Sequence, residues 1–422
     1  MFNSRRIISA IEIGTSKFCV LVGEVDDSGR LDVIGRGEAP SASSVVKGEI
    51  VNMDRAYEQL SKALEEADRA SERALAMSRM VMVLVTGCGI SSQPGVGMVL
   101  IRNADHVVTE AERSEANDNA RILNLPADRQ IINTCNSFFL IDGRRVSNPL
   151  RHNGSKLEAH IHIVHGVSAR VGNFRNLVRD SGFENADIDV VFSPVAADYG
   201  VLSERERDEG VLLVDLGAGC TEYVMEYDNG MCASGVLQVG MEHVANDLSI
   251  ALGLSIDQCR KLLVSGDLTR AGESGQSQIR LRGVSGAERV IPLSSFDTVI
   301  DCRLREIFTI IRRQLELAGS PCSMAAGGVM TGGGALLPRA RELFGEVFDL
   351  SCQVAHPRDA EGAITDLASP RYSAVWGALK LAADYFYNNG EAGPGRGLVA
   401  SLEHNANAFW SGLGKIRKAI KF

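Results

Sequence analysis

Three stretches of the sequence end an apolar run on a polar residue and continue in small ones. The first is Glu12-Ile-Gly-Thr-Ser-Lys17. An acid closes a strand, Gly14 lets the backbone come close to a ligand, Thr15 and Ser16 offer hydroxyl and amide donors, and Lys17 offers a positive charge. Such a turn suits a terminal phosphate, with the carboxylate on a metal or its water shell. The second, Asp215-Leu-Gly-Ala-Gly-Cys-Thr221, repeats the design, with Gly217, Ala218, Gly219 and Cys220 small enough for their amides to face a phosphate. The third is Thr331-Gly-Gly-Gly-Ala335. Gly332, Gly333 and Gly334 let the backbone lie flat against a flat or anionic ligand, and a helix expected to follow would favour phosphate at its N-terminus. Taken singly, the first two stretches read sooner as plain hairpins, and the third reads as well as a mere tight turn.

Such turns need strands behind them. Residues 7–13 are apolar and break at Gly14, and 20–25 and 31–34 follow across polar turns, the pattern of a β-meander. Residues 54–79 read as one long helix and 80–86 as a buried strand ending at Gly87. The same grammar recurs about 200 residues later. Residues 211–216 break at Gly217-Ala218-Gly219, and 222–227 and 232–239 flank Asp228-Asn229-Gly230. The recurrence predicts an α/β fold of two lobes with a site between them. Between the copies, 88–165 read as a small insertion, with a helix near 109–123, strands near 131–141 and an alternating strand over 157–164. Further on, 166–183, 246–260, 294–317 and 373–387 read as helices and 188–192 and 327–330 as strands, with a polar hairpin region at 266–287.

The chain has 422 residues, 45% of them apolar and 23% charged, which is room for more than one well-buried core. A net charge of −9 argues against nucleic acid as a partner, and any anionic partner must meet a local basic patch. Nine cysteines without paired spacing fit a reducing cytosol better than a disulfide framework or a zinc site. Glu12 and Lys17 interrupt the first apolar run, so it does not read as a signal peptide, and no stretch reaches the about 18 apolar residues of a membrane span. His160, His162 and His165 could suggest a metal, but an alternating strand with surface histidines accounts for them.

The C-terminal segment is different. Residues 388–397 have linker composition. In 407–422, Phe409, Leu413, Ile416 and Ile420 fall within about 60° of one another on a helix, flanked by Trp410. Lys415, Arg417, Lys418 and Lys421 lie on the flanks and far side, and no acid interrupts them. A basic amphipathic helix of this kind lies in the interface of an anionic membrane; a helix docked on its own core or on a partner is the alternative. Each basic residue adds about 1 kcal/mol near an anionic leaflet. Gly412 and Gly414 oppose helix formation by about 1 kcal/mol each. One tail therefore binds weakly, and a polymer with many tails binds tightly.

In order and placement the three turns resemble those of the actin/Hsp70/sugar-kinase superfamily, where two acidic hairpin loops bind the phosphates and a Gly-rich turn binds the adenosine. Phe192-Ser-Pro-Val-Ala-Ala-Asp-Tyr-Gly200 and Tyr372-Ser-Ala-Val-Trp-Gly-Ala-Leu-Lys380 resemble its small-residue helices that cross between the lobes. Within it the chain resembles the cell-division FtsA family over nearly its whole length. The Glu in Ile-Glu-Ile-Gly-Thr-Ser-Lys17, the motif Lys47-Gly-Glu-Ile-Val-Asn52, the insertion and the tail carry the resemblance. It implies a two-lobed actin-like (ribonuclease H-like duplicated) fold. Residues 1–87 and 166–195 would form subdomain 1A and 88–165 the inserted subdomain 1C. Subdomain 2A would take 196–243 and 319–387, with 2B at 244–318, a linker at 388–406 and a membrane helix at 407–422. It also implies ATP in the cleft and Mg near Glu12 and Asp215, held through water. Further implications are self-association into filaments on the cytoplasmic face of the inner membrane at the division site, and contacts with later divisome proteins. Subdomain 2B would dock the C-terminal peptide of the division tubulin FtsZ, with Arg289, Arg303 and Glu306 in the matching stretch.

The second loop departs from the superfamily pattern at Ala218, Cys220 and Glu222. On the helix that carries a Glu and a Lys over the nucleotide in relatives, Cys259 and Leu262 occupy those places, and Lys261 takes the lysine role only after a one-residue shift. These departures predict ATP binding with slow or negligible turnover, and no general base stands out. The rival readings are an enzyme of the same superfamily, a kinase or chaperone ATPase, and a relative that anchors type IV pili; neither needs such a tail.

Overall fold

The computed structural model describes residues 6–87, 89–283, 286, 288–319, 324–360 and 367–389. The first lobe begins with the antiparallel strands β1 (Arg6–Ile13), β2 (Lys17–Val25) and β3 (Leu31–Pro40). A two-residue hairpin, β4 (Val45–Val46) and β5 (Glu49–Ile50), leads into helix α1 (Met53–Ala70). Strand β6 (Met80–Val85) pairs parallel with β1. β1 and β2 are almost wholly buried, which explains their continuous apolar runs: helices cover both faces. Gly37 lets α1 lie against β3, since a Cβ there would sit 1.9 Å from the Ala63 carbonyl oxygen.

The insertion forms its own sheet of β7 (Ile90–Leu100), β8 (Arg129–Ile141), β9 (Arg144–Val146) and β10 (Lys156–Val167), in the order β7-β10-β8-β9, with helix α2 (Glu110–Ala120) across it. The chain returns through α3 (Ser168–Asp180) and β11 (Asp187–Phe192), which joins β6 in parallel. Helices α4 (Ser193–Val201) and α5 (Glu204–Glu209) lead to the second lobe. There β12 (Val211–Leu216), β13 (Thr221–Tyr227) and β14 (Gly230–Leu237) form an antiparallel meander. After α6 (Met241–Leu252), α7 (Ile256–Ser265), α8 (Asp267–Glu273), β15 (Gln278–Arg282), β16 (Glu288–Pro292) and α9 (Leu293–Leu317), strand β17 (Gly327–Thr331) pairs parallel with β12. Helix α10 (Ala340–Phe348), β18 (Cys352–Val354) and α11 (Ser373–Asn389) complete the chain.

The sheet orders β3-β2-β1-β6-β11 and β14-β13-β12-β17-β18 share one topology, so the duplication seen as a repeated phrase is a repeated lobe. Where α4 and α11 cross, Gly200 and Gly377 face each other, and a Cβ on Gly377 would lie 1.7 Å from the Ala196 carbonyl oxygen.

Several expected elements differ. The helix expected over 54–79 stops at Ala70, because Glu72 and Arg73 turn left-handed (φ 53° and 67°). The helix expected over 246–260 is two helices: Gly253 closes α6 at φ 62°, and Ser255 and Gln258 form a capping box that starts α7. The 266–287 region holds α8 as well as the first strand of a hairpin whose second strand lies at 288–292. β7 went unforeseen because Pro94, Gly95 and Gly97 weaken its strand signature. It is an edge strand, where Pro is tolerated, and Gly97 makes room for α2. The linker from 390 and the whole 407–422 helix lie outside the described residues. No described helix is long and apolar enough to cross a membrane.

Candidate functional site

The two acidic turns face each other across the interlobe cleft. In the first, the Gly14 amide donates to the Lys17 carbonyl (3.0 Å), and the Gly48 amide donates to Thr15 Oγ1 (3.2 Å). In the second, α6 starts on the loop itself: the amides of Met241 and Glu242 donate to the carbonyls of Gly217 (3.0 Å) and Ala218 (2.9 Å). The turns touch at Gly219, where a Cβ would fall 2.3 Å from Thr15 Oγ1. Gly332 closes the third side at φ 80°, with room for no side chain because Asp215 Oδ1 lies 2.2 Å from its ideal Cβ position. Together they enclose a cavity of about 170 Å³ lined by Glu12, Gly14, Thr15, Ser16, Lys17, Asp215, Gly217, Ala218, Gly219, Cys220 and Gly332, Gly333 and Gly334. These positions span more than 300 residues of sequence, and only the duplicated fold brings them together.

Three expectations change in detail. The Gly triplet opens a 3-10 turn, Gly333–Leu336, while α10 begins only at Ala340, so no α-helix N-terminus points from it into the cavity. Lys17 does not offer a free charge: its Nζ lies 3.2 Å from Glu12 Oε2 and 3.5 Å from Glu38 Oε1, over the Tyr372 ring at 4.6 Å. Burial works against this ammonium, yet Cys19, Glu12 and Glu38 outweigh it and raise its pKa. On α7, Cys259 and Leu262 turn into the second lobe's core. Arg260, Leu263 and Val264 face the cleft instead, at the i, i+3, i+4 spacing of one helix face. Lys261 lines a neighbouring cavity rather than this one.

The acids carry the site's electrostatics. Burial, and then the nearby Glu12, push Asp215 up to about 7, with Lys17 pulling the other way. Glu222, singled out only as a lengthened acid, reaches across the cleft. Its Oε1 accepts from Thr86 Oγ1 (2.7 Å) and the Gly87 amide (2.9 Å). Burial pushes its carboxyl up to about 8 against the pull of those hydrogen bonds. An Asp here would be one methylene too short, so the length is the signal that the sequence held. Arg260 and Arg371 also line the cavity and were not foreseen.

The remaining candidates lie elsewhere. Arg289 donates to the Leu252 carbonyl at the end of α6. Arg303 pairs with Asp247 (2.7 Å) and with Glu306. Both arginines are thus engaged within the second lobe. The histidines are not a surface row: His162 is buried and its Nε2 lies 2.8 Å from Ser234 Oγ, His165 Nδ1 accepts from Arg129 Nε (2.6 Å), and His160 stacks on Phe138 at 4.3 Å. The reason is that the insertion's sheet packs on β14. There Ser92 Oγ donates to the Ser234 carbonyl (2.9 Å) and Arg145 pairs with Asp228 (3.1 Å). Among the described residues no group of three or more metal-ligating side chains occurs.

Two duplicated lobes around a glycine-walled cleft define an actin-like fold. Solved structures agree: a PilM-PilN type IV pilus biogenesis complex matches with a TM-score of 0.62 at 16% identity, covering 89% of this chain and 98% of that one. An MreB protein of Spiroplasma citri bound to AMPPNP matches with a TM-score of 0.53 at 15% identity, covering 92% and 98%. The model of the cell division protein FtsA family matches residues 212–377, and that of the SHS2 domain inserted in FtsA matches 87–165. FtsA of Pseudomonas aeruginosa is 30% identical over 379 residues, 89% of each chain. FtsA of Neisseria meningitidis serogroup B is 28% identical over 415 residues, 96% of this chain and 98% of its own. The chain belongs to the FtsA family of cell division proteins.

Proposed function

We propose that this division protein binds Mg-ATP in the interlobe cleft, self-associates on the cytoplasmic face of the membrane and tethers FtsZ filaments there, where later divisome proteins join it. The observation that carries the nucleotide part is the meeting of the two acidic glycine turns, one from each lobe, at a single cavity closed by Gly332, Gly333 and Gly334. The acids fit a magnesium ion held largely through water. Lys17 is the cation beside Glu12, at 3.2 Å from its Oε2, while burial and then the charge of Glu12 raise Asp215; a divalent cation would relieve the repulsion between the two acids. Within the chain, Glu12, Thr15 and Asp215 would orient the phosphates and the metal's water shell. Lys17 balances Glu12 and Glu38. The departures from the superfamily pattern at Ala218, Cys220 and Cys259 favour a scaffold over a rapid ATPase.

The membrane part rests on the sequence of 407–422, with four cations and an apolar stripe on one helix. The FtsZ part rests on family membership. Because Arg303 is already paired with Asp247 and Glu306, an acidic peptide would have to compete with those carboxylates. The test is co-sedimentation of FtsZ with anionic liposomes, with and without this chain and Mg-ATP. FtsZ should pellet with the full chain and stay in solution with a 1–406 truncation. Lipid binding without FtsZ would leave a membrane-bound actin relative with another client.

A further inference from the structure

Beside the cavity of the two acidic turns lies a larger one, of about 990 Å³. The two share Thr15, Ser16, Gly219, Glu242, Arg260 and Val264, so the second adjoins the first along both acidic turns and the α6–α7 wall. Its walls come from both lobes: Lys47 from the first, His243 and Lys261 from the second. Most of its charges are satisfied internally. Arg260 pairs with Glu242 (2.7 Å) and Asp257 (3.0 Å), and Asp267 with Arg270 (2.5 Å). His243 Nδ1 accepts from the Gly240 amide (3.2 Å). The side chains of Lys47 and Lys261 make no hydrogen bond or ion pair among the described residues.

The backbone at Lys47 is unusual in a way that points to use. Lys47 and Gly48 form the two-residue turn between β4 and β5, both with positive φ (50° and 70°). Asn, Asp or Gly suits the first of these positions, and a long side chain there is strained. Strain of this kind gathers at ligand clamps. The turn is wedged between the end of β6 and the second acidic turn. Lys47 Cα would lie 2.9 Å from a Cβ on Gly219, and its carbonyl oxygen 2.3 Å from one on Gly87. Lys47 is therefore fixed against the second acidic turn and the end of β6, while its neighbour Gly48 is tied to Thr15 of the first turn.

We infer that Lys47, opposed by Lys261 across the cleft, receives the outermost phosphoryl group of a nucleoside triphosphate, the role that Lys17 cannot fill while it neutralises Glu12 and Glu38. This rests on the nucleotide-binding reading above and adds to it the residues that distinguish a triphosphate from a diphosphate.

The test uses the full chain carrying Lys47→Asn. Asn suits the left-handed turn, so the melting temperature should be no lower than that of the natural chain, and loss of fold does not confuse the result. Dissociation constants for Mg-ATP and Mg-ADP are measured for both proteins. The expected result is ATP binding weakened about tenfold, the loss of one charge-assisted hydrogen bond, with ADP changed less than about twofold. Lys47→Arg should restore most of the ATP affinity, and Lys261→Gln should show a smaller loss in the same direction. Equal weakening of both nucleotides, or none, overturns the assignment of Lys47 while leaving nucleotide binding intact. A natural chain that binds neither nucleotide overturns both. Inorganic phosphate titrated into the ADP-loaded protein separates the two sources of the group: no saturable binding is expected. Saturable binding that Lys47→Asn abolishes, with ATP affinity unchanged, would make this a free-phosphate site and overturn the triphosphate role.

Discussion

Replacing Glu222 by Gln should make the nucleotide-free fold more stable than the natural chain, and by a wider margin at pH 9 than at pH 6. Glu222 is 4% exposed, and its Oε1 holds the Thr86 hydroxyl and the Gly87 amide of the opposite lobe. Gln presents an oxygen to the same two donors, so the tie between the lobes survives. What changes is the titration. Burial, offset in part by those hydrogen bonds, pushes the folded carboxyl up to about 8, whereas in the unfolded chain a Glu titrates near pH 4.3. Between those values the native state holds a proton that the unfolded state has released. The stabilisation is therefore full below the unfolded pKa and is lost as pH rises through the folded one. The slope is about 1 kcal/mol per pH unit for one proton. Most of the interval from pH 6 to 9 lies below or at the folded pKa, so the natural chain should lose about 2–3 kcal/mol that the Gln variant keeps. Urea unfolding of both proteins at the two pH values gives the difference directly, and the other titrating groups, common to both, cancel. Parallel stabilities at pH 6 and pH 9 would refute the reasoning, since they would mean that Glu222 is already ionised in the native state.

Two other outcomes follow from the packing. Gly377→Ala should destabilise by about 3 kcal/mol or more, because its Cβ would fall 1.7 Å from the Ala196 carbonyl oxygen and force α4 and α11 apart. A thermal shift no larger than that of an exposed Gly→Ala change would show that the helices can separate freely. His162, which burial lowers to about 4, stays neutral in the native state while an unfolded His charges near pH 6.5. Its stabilisation is present above that value and lost on acidification, so His162→Gln, which can still bond Ser234, should be more resistant than the natural chain by about 2 kcal/mol at pH 5 relative to pH 7. An unchanged difference between the two proteins would place His162 in water.

Much of the fold was legible because its signals are local. The apolar strands at 7–13 and 211–216 stop on an acid and then glycine, and a pattern printed twice announces two lobes before any coordinate is seen. The crossing helices were recognised through the superfamily resemblance, and the structure gives the reason for their small residues: Gly200 and Gly377 sit where two backbones touch. Turn chemistry was less legible. The left-handed pair at Glu72 and Arg73 ends α1 without a glycine or proline to mark the spot, and the break at Gly253-Leu254-Ser255 was hidden inside an apolar period that continues on both sides.

What the sequence determined by itself is the set of groups at the site, since an acid and its glycines must be adjacent to form a turn at all. Their partners were decided by tertiary structure. No spacing tells that Lys17 is held by Glu38 on a neighbouring strand, that Glu222 reaches Thr86 and Gly87 in the other lobe, or that Arg303 is engaged by Asp247 on α6. Nor does it tell that His162 is covered by β14 rather than by water. The free energy of a charge depends on what surrounds it in space, and the surroundings of Lys17, Glu222, Arg303 and His162 come from segments brought near only when the chain folds.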